Sequence, residues 1–379
     1  MKRFIRRIKN YYHLLQAVFA NIYYGFPSRK LKVIGITGTD GKTTTTHLIY
    51  HILKTAQKKV SMVSSIYAKI GDYEYDVGFH VTTPNPFHIQ KLLKMAVDHK
   101  DEYFILETTS HALDQYRVWG INYEIGVLTN VSNEHLDYHL TYEDYVKTKA
   151  QLLLKSKLAF INKDDRSYHL LLDQISKIKY QKYNSKFKNI EKLPGLTKFN
   201  EYNYSAAYSV CKALGIDDET ITSGMKNFEL PKGRLEVVYD KDFKVIVDFA
   251  HTPNALDNLL SSIRGDIIHV FGSAGLRDHL KRPQMGEVSS RYAKTIILTE
   301  EDYRTEDPKK ICHQISLGIK DKKYHIIIDR AKAIKKAINL AKNGDIVVIT
   351  GKGHEKSLCR GNKEYPWSDQ LAVLKILND

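Results

Sequence analysis

The chain has 379 residues, a formal charge of +15, and 42% hydrophobic and 27% charged residues. That length accommodates two or three cored domains, and the composition is that of a soluble globular protein. No apolar run reaches the length of a membrane span, no leader with a small-residue cleavage site opens the chain, and Cys211, Cys312 and Cys359 lack metal-ligand spacing, which suits a reducing cytoplasm.

Residues 1–28 open with MKRFIRRIKN, five basic residues at the head of a segment whose Ile5, Ile8, Tyr12, Leu15, Phe19 and Ile22 recur at helical spacing. Such a helix can lie on an anionic membrane surface or pack its stripe on the next domain. Pro27 and Ser28 mark its expected end. The excess charge itself fits nucleic acid, anionic lipid, a polyanionic substrate or simply a Lys-rich proteome. No zinc-finger, RNA-recognition or homeodomain signature is present, so nucleic acid is not an expected partner.

From residue 29 to about 232 the pattern alternates strand and helix. Residues 32–37 form an apolar run that enters GTDGKTT and then a helix-like segment. Backbone N–H groups of Gly38, Thr39, Asp40, Gly41 and Thr44, with the helix dipole behind them, form a cradle for phosphate oxygens. Lys42 reaches the β/γ-phosphates and the Thr43 hydroxyl serves Mg²⁺. The loop is shorter than the usual G-x-x-x-x-G-K-[ST], but its strand and helix context marks it as an ATP site. Further strands are expected at 103–107, 125–129 and 157–161, in a mainly parallel sheet covered on both faces. Glu107 ends one of them and is either a Mg²⁺ ligand or a solvated strand-end carboxylate. His135, Asp137 and His139 crowd one loop, where they can ligate metal, shuttle protons or only hydrogen-bond the loop. Lys149 follows on a helix.

A second α/β series without a phosphate loop begins after Pro231-Lys232-Gly233 and fills 233–379. Its strands are expected at 244–248, 267–271, 295–299, 324–328 and 345–350. They end in DFAHTPN, GSAGLRDH, EEDYRTEDP and GKGHE, and ligands of such sheets collect at those ends.

Eight segments, TGTDGKTT, TTP, ETTSHAL, NEHLDYH with Lys149, FNEYNYSAA, GRLE, DFAHTPNAL and GKGHE, resemble the Mur ligase family in content and order. DFAHTP and GKGHE resemble its MurE type, which adds the third residue of the peptidoglycan stem peptide. The resemblance implies a central P-loop domain and a Rossmann-like C-terminal α/β domain, with the reactants meeting in the cleft between them. It implies a cytoplasmic, monomeric, ATP-dependent acid–amino-acid ligase of cell-wall biogenesis. The enzyme would activate a muramyl-dipeptide carboxylate as an acyl phosphate and pass it to a diamino acid, meso-diaminopimelate or L-lysine. A Mur-like ligase with a lipid-linked or other acceptor, and a non-catalytic ATP-binding scaffold, stand as alternatives.

Carried over to this sequence, Gly38 to Thr44 hold phosphates, and Thr43 and Glu107 hold one Mg²⁺. His135 matches the histidine of a second Mg²⁺, and Lys149 matches a lysine that CO₂ converts to a metal-binding carbamate. Asn200 and Asn203 resemble adenine-side residues, and Arg234 and Asp248 resemble residues that close on the nucleotide. Thr82, Thr83, Ser110, Gln115 and Arg117 match contacts to the muramyl peptide. Arg277, Asp302, Arg304, Gly351 and Glu355 match the amino-acid pocket, where arginines and an acid pair the carboxylate and ammonium of a zwitterion.

Three positions depart from the family. Its Asp-Asn-Pro-Arg reads Glu301-Asp302-Tyr303-Arg304, its GCGGDRD reads GSAGLRD at 272–278, and Glu134 stands where Asp is usual. The phosphate loop also begins about thirty residues in, where the family carries a whole domain gripping the UDP end of the substrate. Either other groups hold that end, or the acceptor differs. A lipid-linked muramyl peptide would suit the basic helix and place the enzyme peripherally at the inner membrane face.

Overall fold

The protein is described by a computed structural model over residues 2–78, 82–185, 193 and 197–378, without the side chains of 2–8, 136 and 137. Asp137, singled out in the His-rich loop, therefore has no described side chain. The chain forms two compact units, Met1–Asn133 with His139–Glu229, and Glu134–Tyr138 with Leu230–Asp379.

Unit 1 is built on an eight-stranded sheet. Its strands are β1 (Lys32–Thr37), β2 (Val60–Val63), β3 (Ala68–Ile70), β4 (Tyr73–Tyr75), β5 (Tyr103–Glu107), β6 (Tyr123–Leu128), β7 (Ser156–Asn162) and β8 (Tyr180–Tyr183). They lie in the order β4-β3-β2-β5-β1-β6-β7-β8. All neighbours run parallel except β2–β3 and β3–β4, an antiparallel edge. The central strands are apolar along their length because helices cover both faces of a parallel sheet. β5 is buried at every position. Phe104 and Leu106 pack with Ile89, Leu92, Leu93 and Ala96 of the helix Pro86–Asp98, and Ala159 and Ile161 pack with Val146, Ala150 and Leu153 of the helix Tyr142–Leu154. Each of these Val, Leu, Ile and Phe side chains removed from water contributes about 1.5–3 kcal/mol, and the alanines less.

The first helix, Lys2–Tyr24, belongs to unit 1 and packs on the helix Pro86–Asp98. It stops before Pro27: Gly25 (φ 70°) and Phe26 (φ 51°) turn the backbone left-handed, and Pro27–Lys30 forms a short 3-10 turn. No helix among the described residues is long and apolar enough to cross a membrane.

Unit 2 holds β9 (Glu236–Asp240), β10 (Lys244–Asp248), β11 (Ile267–Phe271), β12 (Ala293–Leu298), β13 (Lys323–Ile326) and β14 (Ile346–Thr350), ordered β13-β12-β11-β14-β10-β9. Only β9 is antiparallel to its neighbour. A separate hairpin joins β15 (Ser357–Arg360) to β16 (Lys363–Pro366). Leu256, Leu259, Leu260, Met285 and Val288 pack in one core cluster with Phe271 and Val348. Ala333, Ile334 and Ala337 pack in the other with Val245, Val247, Val347 and Ile349. Local chemistry sets the helix starts: in DFAHTPN the Thr252 side chain accepts from Ala255 N–H, and Pro253 occupies the first turn.

β12 and β13 each begin earlier in the chain than the apolar runs at 295–299 and 324–328 suggest, and end at Leu298 and Ile326. β2, β3, β4, β8, β9 and the hairpin were not expected. Several of these are edge strands with exposed positions, such as Tyr73–Tyr75 and Lys363–Pro366, so no buried face imposes an apolar pattern on them.

Candidate active site

In unit 1 the loops after β1, β2, β5 and β6 gather at the carboxyl edge of the sheet, where the chain passes from β1 to strands on either side. The phosphate loop is held open by its own contacts. Thr39 N–H donates to Asn130 O (2.8 Å), Asp40 N–H to Asn130 Oδ1 (3.0 Å), and the Thr129 hydroxyl to Asp40 O (2.7 Å). Gly41 (φ 81°) precedes the helix Lys42–Thr55, and a Cβ there would lie 2.3 Å from Asn203 Oδ1. At Gly38 (φ 151°) a Cβ would lie 1.8 Å from Thr129 Oγ1. Thr39 and Asp40 spend their N–H groups on Asn130, so the first-turn N–H groups of the helix Lys42–Thr55 are left as the lining of the cradle.

Lys42 Nζ donates to Gly38 O (3.1 Å) and Thr39 O (2.7 Å), so the ammonium folds over the loop. The Thr43 hydroxyl lies 3.1 and 3.2 Å from the two Glu107 carboxylate oxygens. Glu107 also accepts from Ser65 N–H (2.9 Å) and Ser65 Oγ (2.9 Å). Two buried hard oxygens beside a phosphate cradle suit a cation that retains water and phosphate ligands, which is the habit of Mg²⁺. Among the described residues no three His, Cys, Asp or Glu side chains gather as a metal cage, and the site does not require one. The residues fit ATP and Mg²⁺.

Lys149 Nζ, almost fully buried, donates to Gly38 O (2.6 Å) and lies 4.4 Å from the centre of the Tyr145 ring. Asn203 accepts from Thr45 Oγ1 (3.2 Å) and donates to Asn200 Oδ1 (2.9 Å), which ties the helix Lys198–Ala213 to the start of the phosphate helix. Gln115 Oε1 receives Arg117 Nε (2.9 Å) and Nη2 (2.6 Å), and Thr83 O receives Nη1 (3.0 Å). Thr83 Oγ1 donates to Glu107 O (3.1 Å), Thr82 Oγ1 accepts from Ser65 Oγ (3.1 Å), and Ser110 Oγ lies 3.0 Å from His139 Nε2. The structure thus gathers Lys42, Thr43, Glu107, Lys149 and the 82–83 and 110–117 residues along one edge of unit 1.

His135 belongs to unit 2, through the stretch Glu134–Tyr138. It has a left-handed backbone (φ 56°), and its Nε2 lies 3.8 Å from Glu134 Oε2. Burial alone pushes the Glu134 carboxyl up, but the charges of His135, Lys281 (3.4 Å) and His251 (3.5 Å) outweigh it and hold the group well below the ordinary range. His251 in turn is raised: burial opposes its charge, and the hydrogen bond to Glu134 overcomes that.

Of the remaining candidates of unit 2, Arg234 precedes β9, Asp248 ends β10, and the others lie in loops after β11, β12 and β14. Asp248 accepts from Leu235 N–H (2.7 Å) and Ala250 N–H (2.7 Å), and burial raises it despite the nearby charge of Arg234. The Arg234 guanidinium sits 4.7 Å from the Phe249 ring centre. Arg304 Nη1 donates to Gly275 O (2.7 Å), which draws the loop after β12 onto the loop after β11. Lys352 Nζ pairs with Asp302 (2.8 Å) and Glu355 (2.5 Å), and Gly351 opens that loop beside Glu301. Arg277 is exposed on the loop after β11. Sequence reasoning missed Ser65, Lys281 and the Lys352 pairing. Ser65 had no flanking motif, and although Lys352 lies inside GKGHE, that stretch by itself does not tell that its ammonium is buried against Asp302.

A loop, lysine and threonine arranged in this way bind a nucleoside triphosphate, so fold and site together define a P-loop nucleotide-dependent enzyme. Family comparison is specific. Residues 36–223 match the Mur ligase middle domain and 233–353 the Mur ligase glutamate ligase domain. The UDP-N-acetylmuramoyl-L-alanyl-D-glutamate–2,6-diaminopimelate ligase of Aquifex aeolicus is 41% identical over 94% of this chain and 80% of its own. A solved structure of a ligase with that same description is 30% identical, with a TM-score of 0.60 over 92% of this chain and 78% of its own. Escherichia coli FolC, solved with DHPP and ADP, shares the fold at 17% identity, with a TM-score of 0.76 over 96% of this chain and 93% of its own. The chain belongs to the Mur ligase family and is an ATP-dependent amide-bond ligase.

Proposed function

We propose that this chain joins 2,6-diaminopimelate to the dipeptide of a UDP-linked muramyl acceptor in peptidoglycan synthesis. The observation that carries the reading is the 41% identity to the Aquifex aeolicus ligase across 94% of the chain. A substrate carboxylate oxygen attacks the γ-phosphorus, ADP leaves and an acyl phosphate forms. The incoming amine attacks the acyl carbon and loses a proton, and phosphate departs as the amide forms.

Positioning and charge neutralisation are what this chemistry needs. The backbone of 38–44 orients the phosphates, and Lys42 offsets the charge that gathers on the transferred group. Thr43 and Glu107 hold Mg²⁺, which when bound spreads charge from the phosphate oxygens. In this reading the Lys149 ammonium gives up one proton, its amine takes up CO₂ at Nζ, and a second proton leaves as the anionic carbamate forms. His135 serves the second metal, Asn200 and Asn203 face the adenine, and Arg234 and Asp248 close on the nucleotide. Thr82, Thr83, Ser110, Gln115 and Arg117 bind the muramyl peptide, with the clamped Arg117 as its anion anchor. Arg277, Asp302, Arg304, Gly351 and Glu355 receive the amino acid. Arg304 favours diaminopimelate, because its guanidinium suits the distal carboxylate that lysine lacks.

The test is phosphate release from ATP and Mg²⁺ with UDP-muramyl-dipeptide, offering meso-diaminopimelate, lysine and ornithine separately. Turnover that depends on diaminopimelate is expected. Turnover with lysine alone, or with none of the three, overturns the reading.

A further inference from the structure

We propose that the outer face of the helix Lys2–Tyr24 is a docking surface for an anionic lipid bilayer. The helix presents Tyr11, Tyr12, Leu15, Phe19, Ile22 and Tyr23 to solvent, each between 57% and 76% exposed. At 100° per residue these six positions fall within one arc of about 120°. Single exposed apolar residues are ordinary, but six on one helical face are a patch that calls for a partner.

The face is not bare because the helix is loosely held. Ala17, Ala20 and Asn21, on the opposite arc, are fully buried. Asn21 Nδ2 donates to Trp119 O (2.9 Å), and Asn10 Nδ2 donates to Asp114 O (2.8 Å) and Oδ2 (3.1 Å). The helix is therefore fixed to unit 1 by one side while its apolar stripe points away.

Charge selects the occupant. The helix carries Lys2, Arg3, Arg6, Arg7 and Lys9 and not one acidic residue, and exposed Arg29 and Lys30 follow it. A second copy meeting this stripe would bring the same sign of charge and no complement. A surface of lipid phosphates supplies the opposite charge to the exposed Lys9, Arg29 and Lys30 and an apolar layer to Leu15, Phe19 and Ile22, while the tyrosines suit the boundary between them. The helix lies in that surface and does not span it.

The full chain is to be sedimented with vesicles of phosphatidylcholine alone and of phosphatidylcholine mixed with phosphatidylglycerol, at low and high salt. A variant carrying Leu15→Glu and Phe19→Glu is run beside it, with circular dichroism and ligase turnover on a water-soluble acceptor as controls. The parent is expected to bind the anionic vesicles at least about tenfold better than the neutral ones and to release in salt. The variant, folded and still active, is expected to lose at least about tenfold in binding. Failure of the parent to bind, equal binding to both vesicles, or unchanged binding by the variant overturns the proposal. So does light scattering that shows a parent dimer, with no vesicle binding, which the variant dissociates. Because turnover is read separately, loss of the ligase reading and loss of this one are distinguishable.

Discussion

Glu107 and Thr43 stand 64 residues apart in the chain, yet the threonine hydroxyl reaches both carboxylate oxygens, at 3.1 and 3.2 Å. Parallel pairing explains the meeting. β1 and β5 are neighbours with Ile36 opposite Glu107, so the end of β5 comes level with the phosphate loop that leaves β1. Thr43, on the first turn after that loop, then faces a carboxylate delivered by a strand from far down the chain.

Glu107→Gln keeps the size of the side chain and removes its charge. Ser65 and Thr43 can still hydrogen-bond it, so the fold is expected to survive, with a melting temperature close to the parent. Turnover is expected to fall on the order of 10²–10³-fold and to need more Mg²⁺. Phosphate release across a magnesium titration checks both.

Gly41→Ala tests the phosphate cradle. The new Cβ lies 2.3 Å from Asn203 Oδ1 in a backbone with φ 81°, so either the loop or the asparagine must move. A loss of about 1–3 kcal/mol in stability is expected, together with weakened ATP binding. Chemical unfolding and titration with a fluorescent ATP analogue read the two effects.

In unit 2, Arg330 Nε and Nη2 meet Asp369 Oδ1 and Oδ2, both at 2.7 Å, with both residues fully buried. Arg330 also donates to Thr350 O (2.8 Å) and Glu300 O (3.1 Å), so it ties the loop after β12 to the end of β14. Asp369→Asn leaves the guanidinium charge buried without its counter-charge, at an expected cost of about 3–5 kcal/mol. The double variant Arg330→Met with Asp369→Leu is expected to recover part of that loss in urea unfolding.

His269 provides a pH test. Burial and the charge of Arg330 lower its pKa to about 3, and its ring nitrogens meet Ser289 Oγ (2.8 Å) and Thr350 Oγ1 (3.0 Å). The unfolded chain binds a proton at this histidine below about pH 6.5, while the folded chain does not until about pH 3. Its contribution therefore leaves stability untouched above pH 6.5 and erodes it as pH falls through that window, by at most about 1.4 kcal/mol per pH unit. His269→Gln is expected to be less stable at pH 8 but to show a flatter decline between pH 6 and 4. Unfolding free energies measured at a series of pH values decide it.

The central strands and the phosphate loop were legible in the chain for one reason: a strand covered on both faces must be apolar throughout, and a loop that binds phosphate needs Gly, Lys and Thr at set distances. KVIGIT running into GTDGKTT carries both signals within 32–44. Glu107 was legible only in outline, as a carboxylate at a strand end with two open readings. The edge strands and the hairpin at 357–366 left no mark, because half-exposed strands tolerate Lys, Glu and Tyr in any order.

By itself the sequence determined the α/β class, the order of its central strands along the chain and the family. These depend on local periodicity and on motifs that stay contiguous. Which side chains meet was decided by tertiary structure alone. Ser65 bonds Glu107 across 42 residues, and Lys352 pairs with Asp302 across 50. These contacts depend on which strands become neighbours in a sheet, and pairing between distant strands is set by burial of the whole core and not by any single stretch of chain.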